Sequence, residues 1–129
     1  MSTAALIAKL QAQRESWCEL RPASDGQPRL AVRLRRPPEA ELPELRARDG
    51  RSMQQLLAQA VCSCAVGWDG FTEAELLGAA LGSSDPLPFD AAVWAEVVRD
   101  RQGWMVTAAA HLTEQINAHL ASRAAVEKN

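Results

Sequence analysis

Residues 69–76, D-G-F-T-E-A-E-L, carry the acidic residues and the glycine that occur in the second half of a calcium-binding loop. If Gly70 takes the place of the invariant glycine, Ala65 and Gly67 fall on the first and third ligand positions. The last ligand position, which needs a bidentate acid, then falls on Leu76. A hard cation requires oxygen ligands at those positions. We therefore expect this segment to be a turn followed by a helix start, without calcium.

Cysteine and histidine are the other residue types that could bind a metal or act as nucleophile and base. Cys62 and Cys64 lie two residues apart, so on a helix they point to different faces, and zinc needs further ligands at suitable spacing. His111 and His119 are distant in sequence, and nothing marks either one as a base for a cysteine. The sequence also has no glycine-rich phosphate loop and no nucleophile elbow. We expect no metal, no cofactor and no catalytic residues, so the chain is predicted not to be an enzyme.

A basic strand is the third candidate for chemistry. Arg29, Arg33 and Arg35 alternate with apolar residues, and Trp17 is expected across the ladder from them. Such a face could contact phosphate or an acidic protein surface. Exposed edge strands also carry charge simply to remain soluble. The net charge of -2 and the lack of a second basic patch favour the solubilising interpretation, and make nucleic acid the less favoured partner.

The elements that position these residues are predicted to be mostly helical. A chain of 129 residues is long enough for one domain with a real core. Alanine supplies much of the 47% hydrophobic content and tyrosine is absent, a composition that favours helices. We predict an α+β fold in a single domain, residues 1–129, that is mostly α-helical with one N-terminal β-hairpin. The hairpin is expected at about residues 17–36 and the helical part at about residues 38–124.

The hydrophobic period changes along the chain at the two prolines 37 and 38. Before them, Leu30, Val32 and Leu34 point to one side of the chain and Arg29, Ala31, Arg33 and Arg35 to the other, which is typical of a half-buried strand. A hairpin with P-A-S-D-G-Q-P as its link is the simplest arrangement, and its second strand is predicted to be an edge strand. After the prolines, residues 39–48 have the charge order of a short helix. Residues 52–66 have a core-facing helical stripe and are predicted to be the most buried helix.

Two later helix starts are built in the same way. In each, a residue that can cap a helix, Thr72 or Asp90, follows a phenylalanine that can pack back on the helix. Trp94 is expected to be a buried anchor of the second helix. The predicted capping and staple pairs are Thr72–Glu75, Phe71–Leu76 and Phe89–Trp94.

Charge is distributed unevenly between the two parts of the chain. Residues 1–51 carry 10 of the 14 basic residues and 7 acids, whereas residues 52–129 carry 4 basic residues and 9 acids. Opposite charge on two faces suits self-association or a protein partner. The apolar run among the first residues is too short, and a charge follows it too soon, for a secretory signal. No apolar run is long enough to span a membrane. With three cysteines that cannot all pair, we expect a reducing cytoplasm.

The segment V-G-W-D-G-F-T-E-A-E-L-L, followed by G-S-S-D-P-L-P-F-D-A-A-V-W, resembles small tail-region proteins of bacteriophages and prophages, especially the tail-assembly-chaperone type. Those proteins have a basic strand or hairpin ending in R-R-P, a central helix, a W-x-G-[FV]-T turn, a P-F-D-x-x-x-W helix start and a charged helical tail. The likeness covers about residues 29–100. This chain departs from the pattern in its longer N-terminal helix and in a hairpin arm that carries Trp17 and Cys18.

The resemblance implies a non-enzymatic role in the cytoplasm of a bacterial host. Such a protein holds the tail-tube or tape-measure protein soluble while the tail assembles, without a cofactor or a membrane, and it could also form a homo-oligomer. We expect contact with the partner through the edge strand that carries Arg29, Arg33 and Arg35, with Trp17 beside it. Two other functions remain open: a structural head–tail joining or tail-completion protein, and a small nucleic-acid-associated regulator that uses the arginine strand.

Overall fold

The structure is a computed structural model, and it describes residues 1–42 and 52–128 of the chain. This part of the chain has an α+β fold with five α-helices and one antiparallel sheet, which confirms the predicted fold class. The elements in chain order are α1 (Thr3–Ala12), β1 (Glu15–Arg21), β2 (Leu30–Arg35), a 3-10 turn (Glu39–Glu41), α2 (Met53–Cys64), β3 (Ala65–Asp69), α3 (Glu73–Leu77), α4 (Ala91–Arg99) and α5 (Gln102–Lys128).

The sheet has the strand order β1-β2-β3, and both pairings are antiparallel. The predicted hairpin is confirmed, and Trp17 lies opposite Arg33 across the ladder. The prediction that β2 is an edge strand is wrong, because β3 pairs with its other side and places Trp68 opposite Val32. The sequence predicts the end of a helix and a turn at residues 65–69. They form a strand instead, and the two edges of the sheet therefore belong to β1 and β3.

The core lies between one face of this sheet and helices α2, α4 and α5. On β2, Leu30, Val32 and Leu34 are fully buried, as their alternation predicted. The predicted central helix is confirmed as α2, although β2 is the more deeply buried element. The helical residues buried against the sheet are Leu56, Ala60, Val61 and Cys64 on α2, Trp94 and Val98 on α4, and Ala108 and Leu112 on α5.

Helix α2 has a complete capping box at its N-terminus. The Ser52 hydroxyl accepts a hydrogen bond from the Gln55 backbone N–H at 3.1 Å, and the Gln55 side chain accepts one from the Ser52 N–H at 2.9 Å. The helix ends at Cys64, two residues before the predicted end, because β3 begins there. Of the helix predicted at residues 39–48, the 3-10 turn Glu39–Glu41 is seen, and residues 43–48 lie outside the described residues.

The turn after β3 and the D-P-L-P segment before α4 are hydrogen-bonded to each other. Thr72 caps α3 as predicted, with its hydroxyl accepting from the Glu75 N–H at 3.0 Å. The Glu75 carboxylate accepts from the Arg21 side chain at 2.7 Å, which ties the hairpin to α3. The Leu87 N–H donates to the Phe71 carbonyl at 2.9 Å, so the D-P-L-P segment pairs with the turn after β3.

Trp94 is fully buried, which confirms its prediction as an anchor of the core. Its indole N–H donates to the Val61 carbonyl at 3.1 Å, and its ring packs edge-on against Phe71 at 6.4 Å between centroids. Phe89, the expected staple partner, packs edge-on against Trp68 at 5.2 Å. Asp90 caps α4 as predicted, accepting from the backbone N–H three residues on at 3.0 Å.

None of the described helices combines the length and the hydropathy required to cross a membrane.

Candidate partner-binding face

The four residues that the sequence predicts to bind a partner, Trp17, Arg29, Arg33 and Arg35, lie together on the face of the sheet opposite α2, α4 and α5. On β1, Ser16 and Cys18 point toward α5, where the Ser16 hydroxyl lies 2.7 Å from His111 Nε2 and the Cys18 thiol faces a backbone carbonyl of α5. Because side chains alternate along a strand, Trp17 lies on the opposite side, and its ring is 44% exposed. We call the residues Trp17, Arg29, Arg33 and Arg35 the Trp17 face.

Arg29, which directly precedes β2, and Arg33, on β2, lie close to the indole of Trp17. The guanidinium carbon of Arg29 lies 5.7 Å from the centre of the ring, and that of Arg33 lies 6.0 Å from it. At these distances a guanidinium is attracted to the ring electrons of an indole. The structure thus brings together Trp17 and the arginines that the sequence placed across the ladder, with the exposed ring close to two charges.

Carboxylates that the sequence analysis did not assign to this site pair with its arginines. The Glu15 side chain is only 8% exposed, and its two oxygens accept from Arg33 and Arg35 at 2.8 Å each. Arg29 donates to Asp69 at 3.3 Å. Three arginines therefore share two carboxylates, and the face is less basic than the sequence suggested. Glu15 could have been found from the hairpin register, which places it opposite Arg35.

This arrangement fixes the shape of the face but offers little for acid–base chemistry. The charge-assisted hydrogen bonds to the two Glu15 oxygens restrict the rotamers of Arg33 and Arg35, and the guanidinium groups restrict Trp17. A further strand cannot add to β2, because both of its sides are paired. The Trp17 face therefore offers an exposed indole bordered by guanidinium N–H donors, and its contacts are limited to side chains.

Cys18 and Cys64 are buried thiols, and Cys62 is partly buried. Burial raises the pKa of Cys18 to about 11, and burial also raises the pKa of Cys62 and of Cys64. A thiol with a raised pKa remains protonated at neutral pH and is a poor nucleophile or metal ligand. Within residues 1–42 and 52–128, no three His, Cys, Asp or Glu side chains lie close enough together to hold a metal ion.

His111 gives the fold a predicted dependence on pH. Burial lowers the pKa of His111, opposed by the charge of Glu114. The unfolded chain therefore takes up the proton more readily than the folded one, so stability is full above the ordinary value of 6.5 and is lost as pH falls below it. We expect the free energy of unfolding, measured by urea denaturation, to fall between about pH 7 and about pH 5 more steeply in the wild type than in His111→Gln. Parallel pH profiles for the two proteins would contradict this assignment.

Comparison of the chain with protein-family models, curated proteins and solved structures finds no significant match.

Proposed function

We propose that this chain is a non-enzymatic assembly factor for a bacteriophage or prophage tail, and that it binds a tail protein through the Trp17 face. The tail assignment rests on the resemblance of the W-D-G-F-T turn and the P-F-D-A-A-V-W helix start to tail-assembly chaperones. The observation that carries the binding assignment is the exposed indole of Trp17, within about 6 Å of the guanidinium groups of both Arg29 and Arg33.

The residue types on this face suit protein recognition. Tryptophan and arginine are enriched among the few residues that dominate the binding energy of protein interfaces. The Glu15 carboxylate holds Arg33 and Arg35 in place before a partner arrives, so less conformational entropy is lost on binding. A partner segment with an apolar or aromatic residue over Trp17 and a carboxylate beside it would fit the chemistry of this surface.

The pairing of the arginines also bears on the other candidate functions. A protein that binds nucleic acid through arginines needs their charge available for phosphate. Here Glu15 and Asp69 already neutralise much of the charge of the three arginines. A protein partner that contacts Trp17 first and the arginines second is favoured over phosphate. The tail-tube and tape-measure proteins are the candidates that the resemblance suggests, and the bacterial cytoplasm is where they assemble.

Co-expression with the tail-tube and tape-measure proteins of the same genome tests the proposal. We expect the wild-type chain to co-purify with one of them, and Trp17→Ala to bind it about 30-fold or more weakly, which corresponds to about 2 kcal/mol. Trp17 is exposed, so the variant should unfold at the same denaturant concentration as the wild type. Leu81→Ala, which truncates another exposed apolar side chain far outside the sheet in sequence, is the matched control and should bind normally.

Two further variants separate charge from the aromatic contact. Charge reversal at Arg33 and Arg35 should slow association with an acidic partner, whereas Glu15→Gln, which removes the negative charge paired with both arginines, should speed it. Capture that is unchanged in Trp17→Ala and in the charge-reversed variant rejects this face as the site. Failure of the wild type to capture either tail protein, together with tight DNA binding, rejects the assembly role. Stable retention in assembled virions would instead indicate a structural component.

A further inference from the structure

Helix α1 presents an apolar stripe that the described part of the chain leaves about half exposed. No residue of Thr3–Ala12 is buried. Leu6, Ile7 and Leu10 lie on one side of the helix and are 51%, 50% and 53% exposed. Isolated helices of this length are marginal in water, because the cost of nucleation is recovered only over more turns or by packing. A ten-residue helix with its apolar stripe in solvent is therefore expected to gain stability by packing that stripe against an apolar surface.

The same chain has an open apolar groove between α2 and α5. Its volume is about 850 Å³. Leu57 and Ala58 line one wall, and Met105, Val106 and Ala109 line the other. Val106 is 57% exposed, so an apolar side chain on this helix also faces solvent.

The length and charge of α1 are compatible with this groove. The α5 wall runs from Gln102 to Ala118, which is about 26 Å of helix, and α1 is about 15 Å long, so the helix fits within the groove. Helix α1 carries Lys9 and no acid, whereas Glu114 is the one charged residue among those that line the groove in the described structure. A helix with one positive charge and three large apolar side chains suits an apolar groove with one negative charge.

The helix is held away from the groove of its own chain. Only two residues separate α1 from β1. The Arg36 N–H donates to the Arg14 carbonyl at 2.7 Å, and the Arg14 N–H donates to the Gln11 carbonyl at 3.1 Å. These bonds set the direction in which α1 leaves the sheet, and none of its residues lines the groove. Among the described residues, only those of α2 and α5 line the groove, so it can accept the helix of another copy.

We propose that α1 of one copy binds in the α2–α5 groove of a second copy, in a reciprocal dimer with twofold symmetry. The second contact then forms within the complex that the first contact has made, so the two reinforce each other. Each contact buries Leu6, Ile7 and Leu10 against Leu57, Met105 and Val106 of the other copy. This interface does not involve the Trp17 face, so both can be occupied at the same time.

Sedimentation velocity over a concentration series tests the dimer with the full chain. We expect the wild type to dimerise, and Leu6→Glu/Leu10→Glu and Val106→Glu each to raise the dimer dissociation constant by about 100-fold or more. The substituted side chains are exposed in the single chain, so circular dichroism and denaturation midpoints should remain close to those of the wild type. Val126→Glu changes an equally exposed valine on α5 outside the groove and should leave the dimer intact.

Mixing the two disrupted variants tests the pairing of helix with groove. Leu6→Glu/Leu10→Glu keeps an intact groove and Val106→Glu keeps an intact α1, so the mixture retains one good contact and should form a heterodimer that neither variant forms alone. A wild type that remains monomeric at all concentrations overturns the proposal, as does a dimer that the α1 variant leaves unchanged. The dimer-deficient variants keep Trp17, so capture of a tail protein can fail or succeed independently of this result.

Discussion

Replacing Trp94 by alanine is expected to lower the free energy of unfolding by about 3–5 kcal/mol. The side chain is fully buried, packs against Phe71, and donates its indole N–H to the Val61 carbonyl at 3.1 Å. Truncation therefore leaves a cavity between α2 and α4 and removes the donor from a buried carbonyl. Urea denaturation followed by circular dichroism measures the loss.

Two further substitutions divide this loss into its parts. Trp94→Phe fills most of the volume but cannot donate to Val61, and it should cost about 1–3 kcal/mol. Asp90→Ala removes only the cap of the same helix, where the Asp90 carboxylate accepts from the Val93 N–H, and it should cost about 1 kcal/mol. Equal small losses for Trp94→Ala and Asp90→Ala would show that Trp94 is not the anchor of the core.

Replacing Gly70 by alanine is expected to lower the free energy of unfolding by about 2–4 kcal/mol. Gly70 has φ +89°, and a Cβ at this position would lie 2.0 Å from the Arg29 carbonyl oxygen. The turn after β3 approaches the start of β2 too closely to accept a methyl group, so the backbone must move. The movement would disturb the packing of the neighbouring Phe71 on Trp68 and Trp104.

Gly26→Ala is the matched control for this steric effect. Gly26 also has a positive φ, +78°, but no described atom lies within 4 Å of a Cβ built there. Its substitution by alanine should cost only the backbone strain, about 1 kcal/mol. If the two variants lose the same stability, the close approach of Gly70 to Arg29 does not contribute, and the turn has room to relax.

Features encoded within a few residues could be predicted from the sequence. The alternation of Leu30, Val32 and Leu34 predicted β2, and the caps at Thr72 and Asp90 predicted two helix starts, because each pattern reports the local backbone directly. The burial of Trp94 followed from its position on the apolar face of α4. The place of Trp17 across from the arginines followed from the hairpin alone.

Features that depend on distant pairing could not be predicted in this way. β3 is short, contains Gly67 and follows α2 without a break, so its residues looked like a helix end and a turn. Strand order is not encoded in the period of any one strand, and the pairing of β3 made β2 central. The same pairing brought Asp69 to Arg29, a contact between residues 40 positions apart. The predicted charge of the site was too high partly for this reason, and partly because Glu15, within the hairpin, pairs with Arg33 and Arg35.

The central place of β2 has a consequence for synthesis of the chain on the ribosome. The β1–β2 hairpin is local and can form within microseconds of its emergence, whereas β3 follows only after α2 has been made. At ordinary rates of translation, this leaves one side of β2 unpaired for on the order of seconds. During that interval β2 is a true edge strand, and its arginines discourage pairing with other nascent chains. The charges on this strand then protect a transient edge that the folded protein no longer has.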